Sequence, residues 1–165
     1  MGRKPLGKNR YINSLNARSK GQRAVMEEIE RQGHCPFCLD NLKKYHKNPI
    51  LRTGKYWLLT KNQWPYDKVK HQLLAIHKKH IEHITQIEPD AWKELGSMFS
   101  LEAKKRGIKG GGMAIRFGSS NYGNYGSTVL HIHAHLIEPD LKKLKSDEAW
   151  KFKFGQPKNY KKKAS

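Results

Sequence analysis

The sequence predicts an α+β fold in which a main helix covers one mostly antiparallel sheet, with a short N-terminal helix and basic terminal extensions. Three observations support this prediction. Apolar residues make up 36% of the 165 residues, which is enough for a hydrophobic core in a chain of this length. Several short apolar runs are bounded by polar or turn residues, as strands are. One longer segment has apolar residues at helical spacing.

Two helices are predicted from this spacing. Apolar residues flanked by charges at positions 24–29 indicate a short helix that ends at Gly33. Pro89 is suited to a first helical turn, and apolar residues recur at helical spacing from there until Gly107 ends the pattern. The second segment is therefore the main helix. No apolar run approaches the roughly 18 residues that a membrane-spanning helix needs.

Four strands are predicted around the main helix. Residues 56–60 and 72–76 form short apolar runs before it. Residues 113–117 and 128–137 follow it, separated by a loop rich in Gly, Ser, Asn and Tyr at 118–127. Two strands, a helix and two strands are typical of an α+β domain.

The positive charge is concentrated at the two ends of the chain. The sequence has 33 Lys and Arg against 14 Asp and Glu, a formal charge of +19. Residues 1–31 hold 8 basic and 3 acidic side chains, and residues 142–165 hold 9 and 2. We therefore divide the chain into basic extensions at 1–32 and 141–165 and a central domain at 33–140. Lysines interleaved with aromatic residues can bind nucleic acid, and the alternative is a pair of solvated tails.

The two cysteines form a Cys35-Pro36-Phe37-Cys38 motif, too closely spaced to staple a loop. Secreted domains that depend on disulfides carry more cysteines, so a cytoplasmic location is expected. The spacing suits metal or redox chemistry, and two unbonded core cysteines are the remaining alternative.

Three histidines alternate at His131, His133 and His135 within an apolar segment. Because a strand has a period of two, we expect all three to project from one face, about 6.6 Å apart along the strand. Such a face could surround a phosphate group. The alternative is an exposed strand that is rich in histidine.

The loop before these histidines carries small and hydroxyl residues at positions 121–128. Backbone N–H groups in such a loop can approach an anion closely, although the same residues also form ordinary turns. Placed directly before imidazole nucleophiles, the loop supplies the donors that phosphoryl or nucleotidyl transfer requires.

Together these motifs resemble the histidine-triad (HIT) superfamily of nucleotide hydrolases and transferases. The resemblance extends over roughly residues 35–139 and implies a HIT-like fold. It rests on the segments 35–38, 71–80, 121–123, 126–129 and 131–137. Two positions depart from the family pattern: His77 stands where proline is usual, and Ser127 stands where glutamine is common.

The resemblance implies a role for each residue of the motifs. His133 would be the nucleophile, forming a nucleotidyl-histidine intermediate, and His135 would bind a phosphoryl oxygen or the departing group. The substrate phosphate would be held by Asn121, Gly126, Ser127, Thr128 and His135. A structural zinc ion would be held by Cys35, Cys38, His80 and His131. A homodimer is also implied.

The sequence thus predicts a nucleotide hydrolase or nucleotidyl transferase. Its expected substrates are phosphoramidates, dinucleoside polyphosphates or nucleotidylated compounds, as the resemblance implies. The region of Tyr56 and Trp57 could line the pocket for the nucleotide base. Hydrolysis of adenylated nucleic-acid 5′ ends is an alternative that would use the basic extensions. A zinc-stabilised nucleic-acid-binding module without catalytic activity is the other alternative.

Overall fold

A five-stranded antiparallel sheet forms the centre of the computed structural model, which describes residues 11–118 and 124–156. Its strands are β1 (Ile50–Thr53), β2 (Trp57–Lys61), β3 (Val69–His77), β4 (Gly112–Ile115) and β5 (His133–Pro139). They lie in the order β1-β2-β3-β5-β4, and every neighbouring pair is antiparallel. The predicted α+β class with one antiparallel sheet is confirmed.

Three α-helices accompany this sheet in the described part of the chain: α1 (Lys20–Gln32), α2 (Leu39–Tyr45) and α3 (Pro89–Arg106). The side chain of Ser19 caps α1 by accepting the N–H of Gln22, and Gly33 ends it in the left-handed conformation that glycine favours. Gly107 ends α3 in the same way. The short N-terminal helix and the main helix are therefore where the sequence predicts them. The helices described are too short or too polar to cross a lipid bilayer.

The last strand begins later than predicted. The sequence pattern indicates a strand over residues 128–137, whereas β5 starts at His133. Before that point the backbone bonds to other segments: the N–H of Ile132 donates to the carbonyl of Ile81 at 2.8 Å. The three histidines therefore do not lie on one strand as expected, because His131 precedes β5.

The structure also contains an α-helix and a strand that the sequence analysis did not predict, α2 and the edge strand β1. Helix α2 has seven residues, too few to show a helical period. Strand β1 has four residues, of which the first and last are exposed, so it lacks the alternation of a half-buried strand. Strand β4 ends at Ile115, two residues before the predicted end.

One face of the sheet packs against α3 and forms the main hydrophobic core. Trp57 is fully buried there, and its indole Nε1–H donates to the carbonyl of Ala91 at 2.8 Å. Leu95 and Phe99 of α3 belong to the same core cluster. The sequence analysis suggested that Trp57 could line the pocket for the nucleotide base. Trp57 does not, because it is buried in the core on the face of the sheet opposite His133.

The N-terminal part of the chain lies on the other face. Leu42 of α2 forms a buried cluster with Leu74 and Ile76 of β3, and Phe37 packs against it. Both end segments contact the central domain: Ile12 pairs with Val129 in an antiparallel bridge. The indole Nε1–H of Trp150 donates to the carbonyl of Asp67 at 3.0 Å.

Glu94 on α3 fixes the turn that leads into β2. Its carboxylate accepts three successive backbone N–H groups, from Lys55 at 2.6 Å, Tyr56 at 2.8 Å and Trp57 at 2.9 Å. A Cβ added at Gly54 would lie 2.4 Å from the carboxyl carbon of Glu94, so the backbone can approach this closely only with glycine.

We expect Glu94→Ala to lower the free energy of unfolding by about 2–3 kcal/mol, since hydrogen bonds to a charged group are worth about 1.5–3 kcal/mol. Urea denaturation measures the change. Glu88→Ala is the matched control, because Glu88 is exposed and its side chain makes no capping bond at the start of α3. Equal unfolding midpoints for the two variants would show that the turn does not depend on the carboxylate.

Candidate active site and metal centre

His133 and His135 lie side by side on β5, on the face opposite α3. Their ring centroids are 5.2 Å apart, and the two side chains are 7% and 5% exposed. The antiparallel register places them opposite Ile76 and Leu74 of β3. Two imidazoles are thus held in a nearly dry, rigid setting.

A hydrogen bond sets the tautomer of His133. Its Nδ1 lies 2.6 Å from the carbonyl oxygen of His131, which can only accept, so Nδ1 carries the proton. Burial lowers the pKa of His133 to about 4, and the positive charges of Arg116 and Arg18 add to the effect. At pH 7 the ring is therefore neutral, with its free lone pair on Nε2.

His135 has the opposite tautomer, because of Gln72 on β3. The amide oxygen of Gln72 accepts the backbone N–H of Tyr66 at 2.7 Å, so the amide nitrogen faces His135 Nδ1 at 3.2 Å. An amide nitrogen only donates, hence Nδ1 accepts and Nε2 carries the proton. Burial lowers the pKa of His135 well below its ordinary value, so this ring is also neutral. The pair presents one acceptor and one donor.

Gln72 is a site residue that the sequence analysis did not single out. The sequence does contain a pattern that could have identified Gln72. Because a strand has a period of two, Gln72 lies on the same face as the buried Leu74 and Ile76. A polar side chain at such a core position needs a partner. Phe37, whose ring meets His133 edge-on at 5.2 Å, is similarly a site residue, although the sequence analysis treated it only as part of the Cys-Pro-Phe-Cys motif.

The predicted phosphate loop lines the same cleft as the two histidines, with Gly126, Ser127 and Thr128 among the lining residues. The N–H of Gly126 donates to the side-chain oxygen of Asn124 at 3.0 Å, and the Ser127 hydroxyl donates to the carbonyl of Val129 at 2.7 Å. These two donors stabilise the loop itself. Asn121, the remaining predicted phosphate ligand, lies outside the described residues.

Four potential metal ligands lie close together, and one of them, His131, is hydrogen-bonded to His133. Their ligand atoms all lie within 4.8 Å of one another and belong to Cys35, Cys38, His80 and His131. Cys35 Sγ lies 3.3 Å from His131 Nδ1. Cys38 Sγ lies 3.4 Å from His80 Nδ1, and the two Nδ1 atoms are 3.1 Å apart. The predicted set is thus brought together.

The spacing of these atoms suits a tetrahedral ion. Zinc bonds of about 2.3 Å to sulfur and about 2.0 Å to nitrogen place neighbouring ligand atoms about 3.3–3.8 Å apart. Burial raises the pKa of the Cys35 thiol to about 12 and lowers the pKa of His131 to about 3. A cation at the centre is what would turn the thiols into thiolates. The four residues therefore fit a closed Cys₂His₂ zinc site.

Both histidine ligands are oriented by a partner on the far ring nitrogen. His131 Nε2 donates to the carbonyl of His77 at 2.6 Å. His80 Nε2 lies 3.0 Å from a carboxylate oxygen of Glu82. Such partners leave Nδ1 unprotonated toward the metal and hold the ring in place. Glu82 was missed by the sequence analysis.

The described chain thus combines an antiparallel sheet, two adjacent buried histidines and a cluster of two cysteines and two histidines in one α+β domain. The family model described as HIT domain matches residues 54–141. The chain belongs to the HIT-domain family.

Relatives at the level of sequence and structure were also found. The chain is 30% identical over 134 residues to the CWF19-like protein 1 homolog of Drosophila melanogaster. The match covers 81% of this chain and 22% of that protein, so the chain spans about a fifth of the relative's length.

Among solved structures, the fold is similar to a HIT family hydrolase from Clostridium thermocellum, with TM-score 0.50 and 19% identity, over 70% of this chain and 97% of that one. A Zn-bound histidine triad family protein from Mycobacterium smegmatis matches with TM-score 0.49 and 19% identity, over 72% and 81% of the two chains.

Proposed function

We propose that the protein is an enzyme that hydrolyses or transfers a nucleoside monophosphate group through a covalent intermediate on His133. The single observation that carries the proposal is the opposite tautomers of two neutral, buried imidazoles in one cleft. One ring offers a lone pair to phosphorus, and the other offers a proton donor to the groups around it.

In the first step, the Nε2 lone pair of His133 attacks the phosphorus atom, and the bond between phosphorus and the leaving group breaks. The imidazole gains positive charge as the P–N bond forms, and the His131 carbonyl, which accepts its Nδ1–H, stabilises that charge. The Nε2–H of His135 donates to a phosphoryl oxygen or to the departing atom. In the second step, water or another acceptor attacks phosphorus and the P–N bond breaks.

The phosphate loop would stabilise the other phosphoryl oxygens. Because the Gly126 N–H and the Ser127 hydroxyl are engaged within the loop, we assign the contacts to the backbone N–H groups of Ser127 and Thr128 and to the Thr128 hydroxyl. The side chain of Asn121 is proposed as a further ligand, following the resemblance to the family.

The metal is proposed to be structural. Four protein ligands close the coordination sphere of a zinc ion and leave no position for a reacting water. When bound, zinc would hold Cys35 and Cys38 against His80 and His131. Since the carbonyl of His131 accepts from His133, fixing His131 also orients the proposed nucleophile.

Four features predicted from the sequence stay proposals. They are a homodimer, a cytoplasmic location, nucleic-acid contacts through the basic ends, and the division into segments 1–32, 33–140 and 141–165. Hydrolysis of adenylated nucleic-acid 5′ ends is the second candidate function. It is favoured by the basic C-terminal segment, whose Phe152 ring lies 5.9 Å from the His135 ring.

A panel of adenylated substrates tests the proposed function. The substrates are adenosine 5′-phosphoramidate, diadenosine tetraphosphate and a 5′-adenylated oligonucleotide. For at least one of them, we expect kcat/KM of the wild type to exceed that of the His133→Ala variant by about a thousandfold, because the variant lacks the attacking nitrogen. Release of AMP, separated by chromatography, is the measurement. If no substrate is turned over while oligonucleotides bind, the non-catalytic binding module replaces the proposal.

A further inference from the structure

Two arginines, Arg18 and Arg116, lie in the same cleft as His133 and His135. Their positive charges reach both imidazoles and contribute to the lowered pKa of His135. Among the described residues that line the cleft, none is Asp or Glu. The cleft therefore carries two positive charges that no neighbouring carboxylate balances, which is the electrostatic setting of an anion site.

Aromatic rings and carbonyls hold the two guanidinium groups in place. Arg116 lies over the ring of Phe152 at 3.9 Å, and its Nη1 donates to the Tyr66 hydroxyl at 2.8 Å. The guanidinium carbon of Arg18 lies 4.0 Å from the centre of the Tyr66 ring. The Arg18 guanidinium also donates to the carbonyl of Trp64. Stacked guanidinium groups keep their charge and lose little freedom when an anion binds.

Arg116 also lies directly against the phosphate loop. A Cβ added at Gly126 would come within 3.2 Å of Arg116 Nε, so the guanidinium packs on the loop where glycine leaves room for it. Arg116 is thus beside the groups proposed to hold the phosphate under attack.

Within residues 11–118 and 124–156, the protein does not use every N–H donor of Arg116. Its hydrogen bonds go to the Tyr66 hydroxyl from Nη1 and to the Lys153 carbonyl from Nε and Nη2. A guanidinium carries five N–H groups, so two remain for a ligand. Guanidinium groups bind phosphate oxygens through paired N–H donors.

We infer that Arg18 and Arg116 form a subsite for a second phosphate group, carried by the leaving group of the substrate. The inference rests on the proposed function and narrows its substrate class. The expected substrates are then those in which the bond that breaks joins two phosphate groups, as in a dinucleoside polyphosphate or an adenylated 5′-phosphate end. A phosphoramidate, whose leaving group is an uncharged amine, would not use the subsite.

The test compares substrates that share the adenylate and differ in the leaving group. Diadenosine tetraphosphate and a 5′-adenylated oligonucleotide represent the two sources of a second phosphate, and adenosine 5′-phosphoramidate lacks it. The quantity measured is kcat/KM for a phosphate-bearing substrate divided by kcat/KM for the phosphoramidate. We expect Arg18→Gln and Arg116→Lys each to lower this ratio by tenfold or more. Arg31→Gln is the matched control, because Arg31 is an exposed arginine on α1 that pairs with Glu28, and it should leave the ratio unchanged.

A binding measurement makes the test independent of turnover. Titration calorimetry of tripolyphosphate should show an affinity at least tenfold weaker in Arg18→Gln than in wild type. The Arg116→Lys variant retains the charge and loses the paired donors, so a defect there shows that phosphate geometry matters as well as charge.

Each outcome decides between the hypotheses. If the ratio falls only for diadenosine tetraphosphate, the substrate is a small polyphosphate. If the ratio falls only for the oligonucleotide, the substrate is a nucleic-acid end. An unchanged ratio together with unchanged tripolyphosphate binding overturns the subsite, while wild-type turnover of the phosphoramidate would still uphold the proposed function. If wild type turns over none of the three substrates, the proposed function fails, and tripolyphosphate binding alone then supports or overturns the subsite.

Discussion

Replacing His133 by alanine is expected to abolish turnover while leaving nucleotide binding within about threefold of wild type. The change removes the proposed attacking nitrogen, and it keeps the arginines and the loop that we propose to hold the phosphate groups. Loss of a nucleophile that acts in concert with its neighbours costs at least a thousandfold in kcat, or about 4 kcal/mol in the activation barrier.

Two measurements check this expectation. Single-turnover kinetics with a substrate labelled at the α-phosphorus should show an acid-labile nucleotidyl-protein adduct in wild type and none in His133→Ala. His83→Ala is the matched control, since His83 is exposed, its side chain hydrogen-bonds to Thr85, and its ring contacts Phe117 rather than a residue that lines the cleft. If His133→Ala kept a tenth of the wild-type rate, or formed the same adduct, another group would be the nucleophile.

Removing the metal site is expected to produce the largest loss of stability. In the Cys35→Ser, Cys38→Ser double variant, the binding free energy of the metal no longer contributes to folding. The main core against α3 remains, so we expect a loss of about 3–5 kcal/mol, which for a chain of this size lowers Tm by about 10 °C or more. Scanning calorimetry measures the change, and elemental analysis of protein purified without chelator should show one zinc ion per chain of wild type.

A milder variant separates metal binding from packing. Glu82→Gln keeps all four ligands and weakens the partner of His80 Nε2, so zinc affinity should fall about tenfold while the zinc-saturated protein keeps its melting temperature. Added zinc should restore the wild-type melting temperature to Glu82→Gln and should not restore it to the double variant. A double variant that melts like wild type and a wild type that contains no zinc would rule out a structural metal.

The local patterns of the chain predicted the main elements because each is repetitive or has a distinct boundary. Helix α3 has a helical period between a proline and a glycine, and β2 and β3 are short apolar runs. The start of β5 could not be predicted in this way. Residues 128–132 continue the apolar pattern, but their backbone bonds to segments distant in sequence: Leu130 bonds to Tyr11 and Ile132 bonds to Ile81.

The residues of the candidate site likewise fall into two groups, those that belong to a local sequence motif and those that do not. The four metal ligands and the two histidines of β5 belong to motifs with fixed spacing, so the resemblance to a family located all six. Arg18, Arg116 and Gln72 belong to no such motif. Arg18 and Arg116 meet Tyr66 only because the segment before α1 and the end of β4 converge on the cleft, and convergence of this kind leaves no local trace in a sequence.

The antiparallel bridge between Ile12 and Val129 has a consequence for synthesis of the protein. A ribosome that adds 5–20 residues per second needs roughly 6–23 s to extend the chain from the first of these residues to the second. During that interval the apolar side chains of Met26 and Ile29 lack the partner segment that covers them. Cys35 and Cys38 also lack His131 until the end of the interval. The nascent chain therefore exposes two thiols and an apolar helix face until residues 129–131 have been added.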